Sequence, residues 1–245
     1  MGEIWDSEFQ EWRKKLLGSQ SNNLEFQAAS GDWMQLAVDN KYSYQFDWLG
    51  VPIIQMPEDL IIFQEIVYKT QPDLIVETGV ARGGSIIFWA SIQKLSGITG
   101  KVLGVDIDIR QHARNAINNS NFKDQIYLVE GSSVEEKVVN QVKNYVSQHK
   151  KIMVVLDSNH THEHVLSELE IYSKFVTKDC FLLVLDTVID DLKVDPTRPW
   201  GPGSSPKSAV KEFMLKTSGD FINEQSYENR ALLSVAPYGY WIKTK

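Results

Sequence analysis

The sequence predicts an α/β fold: a mostly parallel seven-stranded sheet with helices on both faces, preceded by an N-terminal helical extension. Three observations predict it. Five short apolar runs recur along the chain. Helical stretches separate them, and the runs lack clean two-residue alternation, which is the mark of strands buried on both faces. Each run also ends on an acid, at Glu77, Asp106, Glu130, Asp157 and Asp186.

The elements follow in order. Residues 4–17 read as an amphipathic helix, because Trp5, Phe9, Trp12 and Leu16 recur at three- and four-residue spacing. Residues 19–50 break that pattern and read as an irregular arm or lid with short helical pieces. The sequence thus divides into an arm over 1–50 and a main domain over 51–245. PEDLIIFQEIVYK (57–69) is a helix with proline and two acids in its first turn, which suits the positive helix end. The apolar runs are LIVET (74–78), KVLGVDI (101–107), QIYLVEG (125–131), KIMVVLD (151–157) and CFLLVLD (180–186). Helices are expected at 85–95, in RQHARNAINNS, around 134–148 and in HEHVLSELEIYSKFV. Residues 192–208 hold four of the eight prolines and read as a long loop of the kind that serves as a lid. A helix over 208–216 and two strands, ALLSVAP and YGYWIKT, close the chain, with a hairpin turn at Tyr238-Gly239.

Composition bounds the function. The 245 residues carry a net charge of −7, so the chain has no overall basic balance to attract nucleic acid or an anionic membrane, and a small-molecule partner is favoured. A single cysteine, Cys180, excludes an internal disulfide and a Cys-rich metal site. No apolar run approaches the ~18 residues of a membrane span. The N-terminus has no apolar signal region, and Asp6 stands where a myristoylation motif wants Ser or Thr. The default expectation is a cytoplasmic enzyme, with the apolar N-terminal helix available for pairing in a homo-oligomer.

In an open parallel sheet the ligand lies beyond the carboxyl ends of the strands. Five consecutive acid-ended strands therefore point to a site for hydrogen-bond donors or cations. After the first strand comes ETGVARGGS, with glycines at 79, 83 and 84. This spacing is wider than the G-x-G-x-x-G that seats a pyrophosphate, which disfavours NAD or a nucleotide. It is the form seen in enzymes using S-adenosylmethionine (SAM). Asp106 is placed to accept hydrogen bonds from ribose hydroxyls, a role common to both ligands.

Three of the five histidines fall in LDSNHTHEH (156–164). His160 and His164 have the i, i+4 spacing of zinc ligands, but HEHVL is not H-E-x-x-H and no further histidine follows. His160, three residues beyond Asp157, is the best general-base candidate. His162 reads as a surface residue, and His164 as one that packs at the helix start or hydrogen-bonds near the site.

The chain resembles the cephalosporin hydroxylase/rhamnosyl O-methyltransferase family of SAM-dependent methyltransferases. PDLIVETGVARGGS, KVLGVDIDIR, KIMVVLDSNHTHEHVLSEL, the GPG at 201–203 and APYGYWIK carry the resemblance, in the right order over residues 45–243. It implies a Rossmann-like class I methyltransferase fold and methyl transfer to a hydroxyl of a sugar or glycosylated natural product, aided by magnesium. It maps the cofactor site onto Glu77, Gly79, Gly83, Ser85 and Asp106, with Ser132 and Ser133 at the adenine end. It maps the metal onto Asp157 and Asp186, and the base onto His160. The family's adjacent Glu-Asp pair is here Leu185-Asp186, so one ligand is absent, with Asp190 or Asp191 the nearest substitutes. A non-catalytic SAM-binding accessory protein is the alternative that this departure keeps open. In the 19–50 region and the long loop, Trp33, Tyr42, Tyr44, Trp48 and Trp200 are candidates to stack on a sugar or to pack.

Overall fold

The computed structural model describes residues 6–217 and 219–245. Ile4 and Trp5 of the expected first helix lie outside the described residues. Nine helices and nine strands are described: α1 (Ser7–Ser21), α2 (Leu24–Asp39), β1 (Asp47–Trp48), β2 (Val51–Pro52), α3 (Pro57–Thr70), β3 (Leu74–Thr78), α4 (Gly84–Leu95), β4 (Lys101–Asp106), α5 (Gln111–Asn119), β5 (Ile126–Glu130), α6 (Glu136–Val146), β6 (Ile152–Leu156), α7 (His162–Tyr172), β7 (Phe181–Val184), α8 (Pro206–Lys216), β8 (Phe221–Asn223), α9 (Gln225–Glu228) and β9 (Tyr240–Lys243).

The main sheet has seven strands in the order β5-β4-β3-β6-β7-β9-β8, and β9 alone runs antiparallel to its neighbours. The five predicted apolar runs are β3 to β7. They are buried on both faces, so one set of side chains packs beneath α3, α4 and α5 and the other beneath α6, α7 and α8. The chain winds outward through β3, β4 and β5, then returns to lay β6 on the other side of β3. The strand order therefore reverses between β3 and β6, and a crevice opens at their carboxyl ends.

The expected first helix is α1, and its Phe9, Trp12 and Leu16 stay exposed. Two expectations are corrected. Residues 19–50 are not mainly irregular. Asn23 caps α2 by accepting from the Phe26 amide, and α2 then runs for 16 residues, burying Met34 and Ala37. A 3₁₀ turn (Tyr42–Gln45) and a ribbon of β1 and β2 follow. Second, ALLSVAP is not a strand. Glu58 accepts from the Leu233 amide and Asp59 from the Val235 amide, so carboxylates at the start of α3 take the N–H groups a strand would have used. The seventh strand is β8 instead, which pairs with β9. The hairpin expected at Tyr238-Gly239 is therefore absent too; what stands there is a local turn, with Gly239 N donating to Ala236 O at 2.9 Å, that leads into β9.

Candidate active site

The loop between β3 and α4 lies at the point of strand reversal. Gly79 has φ +101°, and a Cβ there would meet the Asp157 carbonyl oxygen at 2.1 Å. Only glycine lets the ends of β3 and β6 come this close. Gly83, with φ +91°, caps α4. A Cβ on Gly84 would lie 2.3 Å from the Pro52 carbonyl oxygen, so the segment after β2 passes directly over the first turn of α4.

A cleft of about 520 Å³ opens beside this loop. Ala81 and Arg82 line one wall, Asp106, Ile107, Asp108 and Arg110 another, and Tyr44, Pro52 and Ile54 the third. Asp106 faces the cleft and also holds the loop. Its Oδ2 accepts from the amides of Val80 (2.8 Å) and Ala81 (3.2 Å), and its Oδ1 from Asp108 N at 3.0 Å. A recess of about 30 Å³ shares four lining residues with the cleft and adds Gln55, Gly79, Ser85 and Asp157.

The other predicted cofactor residues divide. Glu77 is fully buried beneath the loop. Ser85 Oγ and Trp89 Nε1 donate to its two oxygens at 2.9 and 3.1 Å. Burial outweighs these bonds, and the nearby Asp106 adds to it, so the carboxyl is pushed up to about 8. Glu77 and the Ser85 hydroxyl therefore support the loop from below. Ser133 Oγ pairs with His164 Nε2 at 3.1 Å, and its carbonyl accepts from Tyr172. Neither Ser132 nor Ser133 lines the cleft. Glu130 stands opposite Asp106 in the β4–β5 pairing and is taken by Arg114 and the Ile109 amide.

Asp157 and Asp186 meet at the ends of β6 and β7. Burial, then the carboxyls of Asp186 and Glu77, push Asp157 well above the ordinary range. Gln55 Nε2 donates to Asp157 Oδ2 at 3.0 Å. His160 Nδ1 lies 3.3 Å from Asp186 Oδ2, and Trp200 packs its ring edge-on against the imidazole, centroids 4.9 Å apart. With Nδ1 turned to a carboxylate, the tautomer bearing its proton there is favoured and Nε2 is left as acceptor. His162 bridges Ser208 Oγ (2.8 Å) and Glu212 Oε2 (3.1 Å), tying α7 to α8. His164 bonds Ser133 and Ser158, beside the buried Glu168.

For the implied cation, the donors present are two adjoining carboxyls, of which Asp157 is raised by burial and then by Asp186. A magnesium ion is held by one or two carboxylates with waters completing an octahedron, so this pair fits. Among the described residues no three or more His, Cys, Asp or Glu are grouped to hold a metal. The reason is local. Leu185 points into the hydrophobic core, while Asp190 accepts from Gly203 N and Ser205 Oγ and Asp191 pairs with Lys207. Neither acid substitutes for the absent ligand.

Of the aromatic candidates, Trp33 packs on Tyr42, Tyr42 on Phe46, and Trp48 on Phe88. Tyr44 reaches the cleft and Trp200 reaches His160. The sequence reading missed Gln55, Arg82 and Arg110 among the residues that line the cleft and the recess. Arg82 stood within the glycine-rich stretch; Gln55 carried no local signal.

Comparison with known proteins agrees with this architecture. The chain is 28% identical over 198 residues to a rhamnosyl O-methyltransferase of Mycobacterium tuberculosis, covering 80% of this chain and 77% of that one. The Mycobacterium leprae rhamnosyl O-methyltransferase is 26% identical over 200 residues, covering 80% and 82%. Among solved structures, CmcI in its apo form superposes with a TM-score of 0.64 at 15% identity, covering 82% of this chain and 77% of that chain. A Bacillus cereus O-methyltransferase in complex with SAH gives 0.52 at 15% identity, covering 89% and 91%. These last two establish the fold. With the family model "Rhamnosyl O-methyltransferase/CmcI" matched over residues 40–244, the chain belongs to the rhamnosyl O-methyltransferase/CmcI family of SAM-dependent O-methyltransferases.

Proposed function

We propose that this O-methyltransferase moves the S-methyl group of SAM to a hydroxyl of a sugar or glycosylated natural product, with His160 as general base. The observation that carries the reading is the placement of His160. Its Nδ1 is held 3.3 Å from Asp186, whose carboxyl adjoins Asp157, and the Asp157 backbone in turn lies against Gly79 of the glycine loop.

A sugar hydroxyl is a very weak acid, so the nucleophile needs help and the sulfonium leaving group needs little. His160 Nε2 takes the hydroxyl proton as the oxygen bonds to the methyl carbon and the carbon–sulfur bond breaks. The products are the methyl ether and S-adenosylhomocysteine. Asp186 orients the imidazole and stabilises the imidazolium that forms. A base of this kind contributes roughly 10²–10⁴-fold. Asp157 and Asp186 would hold magnesium, which when bound lowers the pKa of the acceptor hydroxyl. The cleft takes the adenosine, with Asp106 toward the ribose. Residues 1–50 serve as an arm over the methyltransferase domain 51–245, and Trp200 offers a face to the acceptor ring.

The test is mass spectrometry of glycosylated metabolites incubated with methyl-labelled SAM and magnesium. A labelled product is expected with the wild-type protein. His160→Ala should lower turnover about 10²–10⁴-fold while SAM affinity stays nearly unchanged. Unaltered turnover sinks the base assignment. Tight SAM binding with no methylated product would instead favour the accessory reading, which Leu185, buried where the family has an acid, keeps in view.

A further inference from the structure

β6 ends at Leu156 and α7 begins at His162, so Asp157 and His160 both lie on the short turn between them. Asp157 is still tied to the sheet, its N–H donating to the Thr78 carbonyl at 2.9 Å. Beyond it, Ser158, Asn159 and His160 make no backbone-to-backbone hydrogen bond among the described residues. Side chains hold them instead. Asn159 Oδ1 accepts from the Thr161 amide and hydroxyl, which closes the turn locally. Ser158 Oγ donates to Glu168 Oε1 at 2.8 Å and lies 3.3 Å from His164 Nε2, which ties the turn back to α7.

Glu168 is a costly residue for this place. It is fully buried, on the face of α7 that also buries Val165, Leu169 and Tyr172. Its Oε2 has no hydrogen-bond partner, and its ion-pair contact among the described residues is His164, at 3.5 Å. An apolar side chain of similar size serves stability at least as well on such a face. The acid therefore supplies an acceptor at a fixed position rather than folding energy. Its helix is a firm base, because α7 packs on the sheet and is tied to α8 through His162. The group is not hydrolytic machinery. Ser133 and Glu168 approach the same nitrogen of His164, so the imidazole cannot relay a proton between them.

We propose that Glu168 is a positioning residue for methyl transfer: through Ser158 it sets the turn so that His160 Nδ1 faces Asp186 and Nε2 is free for the acceptor hydroxyl. This rests on the reading of His160 as general base.

Imidazole ¹⁵N spectra of the full chain at about pH 8, where histidine is neutral, test it. The His160 signal is assigned by its loss in His160→Gln. In the wild type its proton should sit on Nδ1. Ser158→Ala removes the donor at an exposed position, and Glu168→Met removes the acceptor while keeping the volume. In both, the His160 signal should move toward the tautomer with the proton on Nε2, which free imidazole side chains prefer. Glu168→Gln keeps an oxygen for Ser158 and should retain the wild-type signal. Turnover should fall about 10- to 100-fold in Ser158→Ala and Glu168→Met, with the KM for SAM within about twofold. In circular-dichroism melts Glu168→Met should melt no lower than the wild type. A wild-type His160 signal in both variants overturns the proposal, the more plainly if Glu168→Met also melts lower, and so does a Glu168→Gln signal like that of Glu168→Met. Each of these leaves the base assignment intact. A wild-type protein with the His160 proton on Nε2 overturns both.

Discussion

Glu77 is a carboxyl shut away from water with Asp106 and Asp157 near it. Its folded value of about 8 lies above an ordinary value of 4.5. Between those values the folded state holds a proton that the unfolded state has released. Stability therefore falls as pH rises through that window, and the loss is complete above about 8. Glu77→Gln removes the ionisation. The variant should gain on the wild type between pH 5 and pH 9, on the order of 1 kcal/mol or more, in thermal melts followed by circular dichroism. A gap between the two proteins that does not change with pH would show that Glu77 does not titrate there. The residue was legible in the sequence as part of the site, but not as a support beneath the glycine loop. That role depends on Trp89 and Ser85, one helix away, turning back onto it. His160 beside Asp157 was legible from three-residue spacing. Its contact with Asp186 was not, because 26 residues and a helix separate the two in sequence.

At the scale of elements, β3 to β7 match the apolar runs to within one or two residues at most ends, since a strand buried on both faces leaves an uninterrupted apolar record. The short edge strand β8 leaves none. Residues 231–237 read as a strand because they are mostly apolar, yet the Leu233 and Val235 amides go to Glu58 and Asp59, about 175 residues away in sequence. At the β3–β6 junction the backbones of Gly79 and Asp157 leave no room for a side chain. Gly79→Ala should cost about 3 kcal/mol or more in chemical denaturation, because its Cβ has no place against the Asp157 carbonyl. Gly50→Ala is the control. It also has a positive φ, +80°, but open space around it, so its cost should stay near 1 kcal/mol. Similar costs at both positions would mean that the close approach is not what demands Gly79.

For the whole molecule, the arm divides into a part the core needs and a part it does not. α1 buries nothing and reaches the body through Gln20 Nε2 on the Asn229 carbonyl, whereas α2 buries Met34 and Ala37 in the main core. Deleting residues 1–21 should change stability by less than about 1 kcal/mol. Deletion through residue 40 should cost about 2 kcal/mol or more, because the Met34 site empties. Equal losses in denaturation curves would show α1 to be part of the folded body. The parallel sheet, the glycine loop, the acid at each strand end and the family resemblance were all readable from the residues alone. All are local records of burial and turn geometry. Which acids adjoin one another became visible in the fold alone, because that follows from strand order. Placing β6 between β3 and β7 gathers Glu77, Asp157 and Asp186 at one edge, while β4 carries Asp106 to the cleft and β5 sets Glu130 opposite it. The fold likewise brought Gln55 onto Asp157 across 102 residues of chain, a pairing that no pattern in a single sequence records.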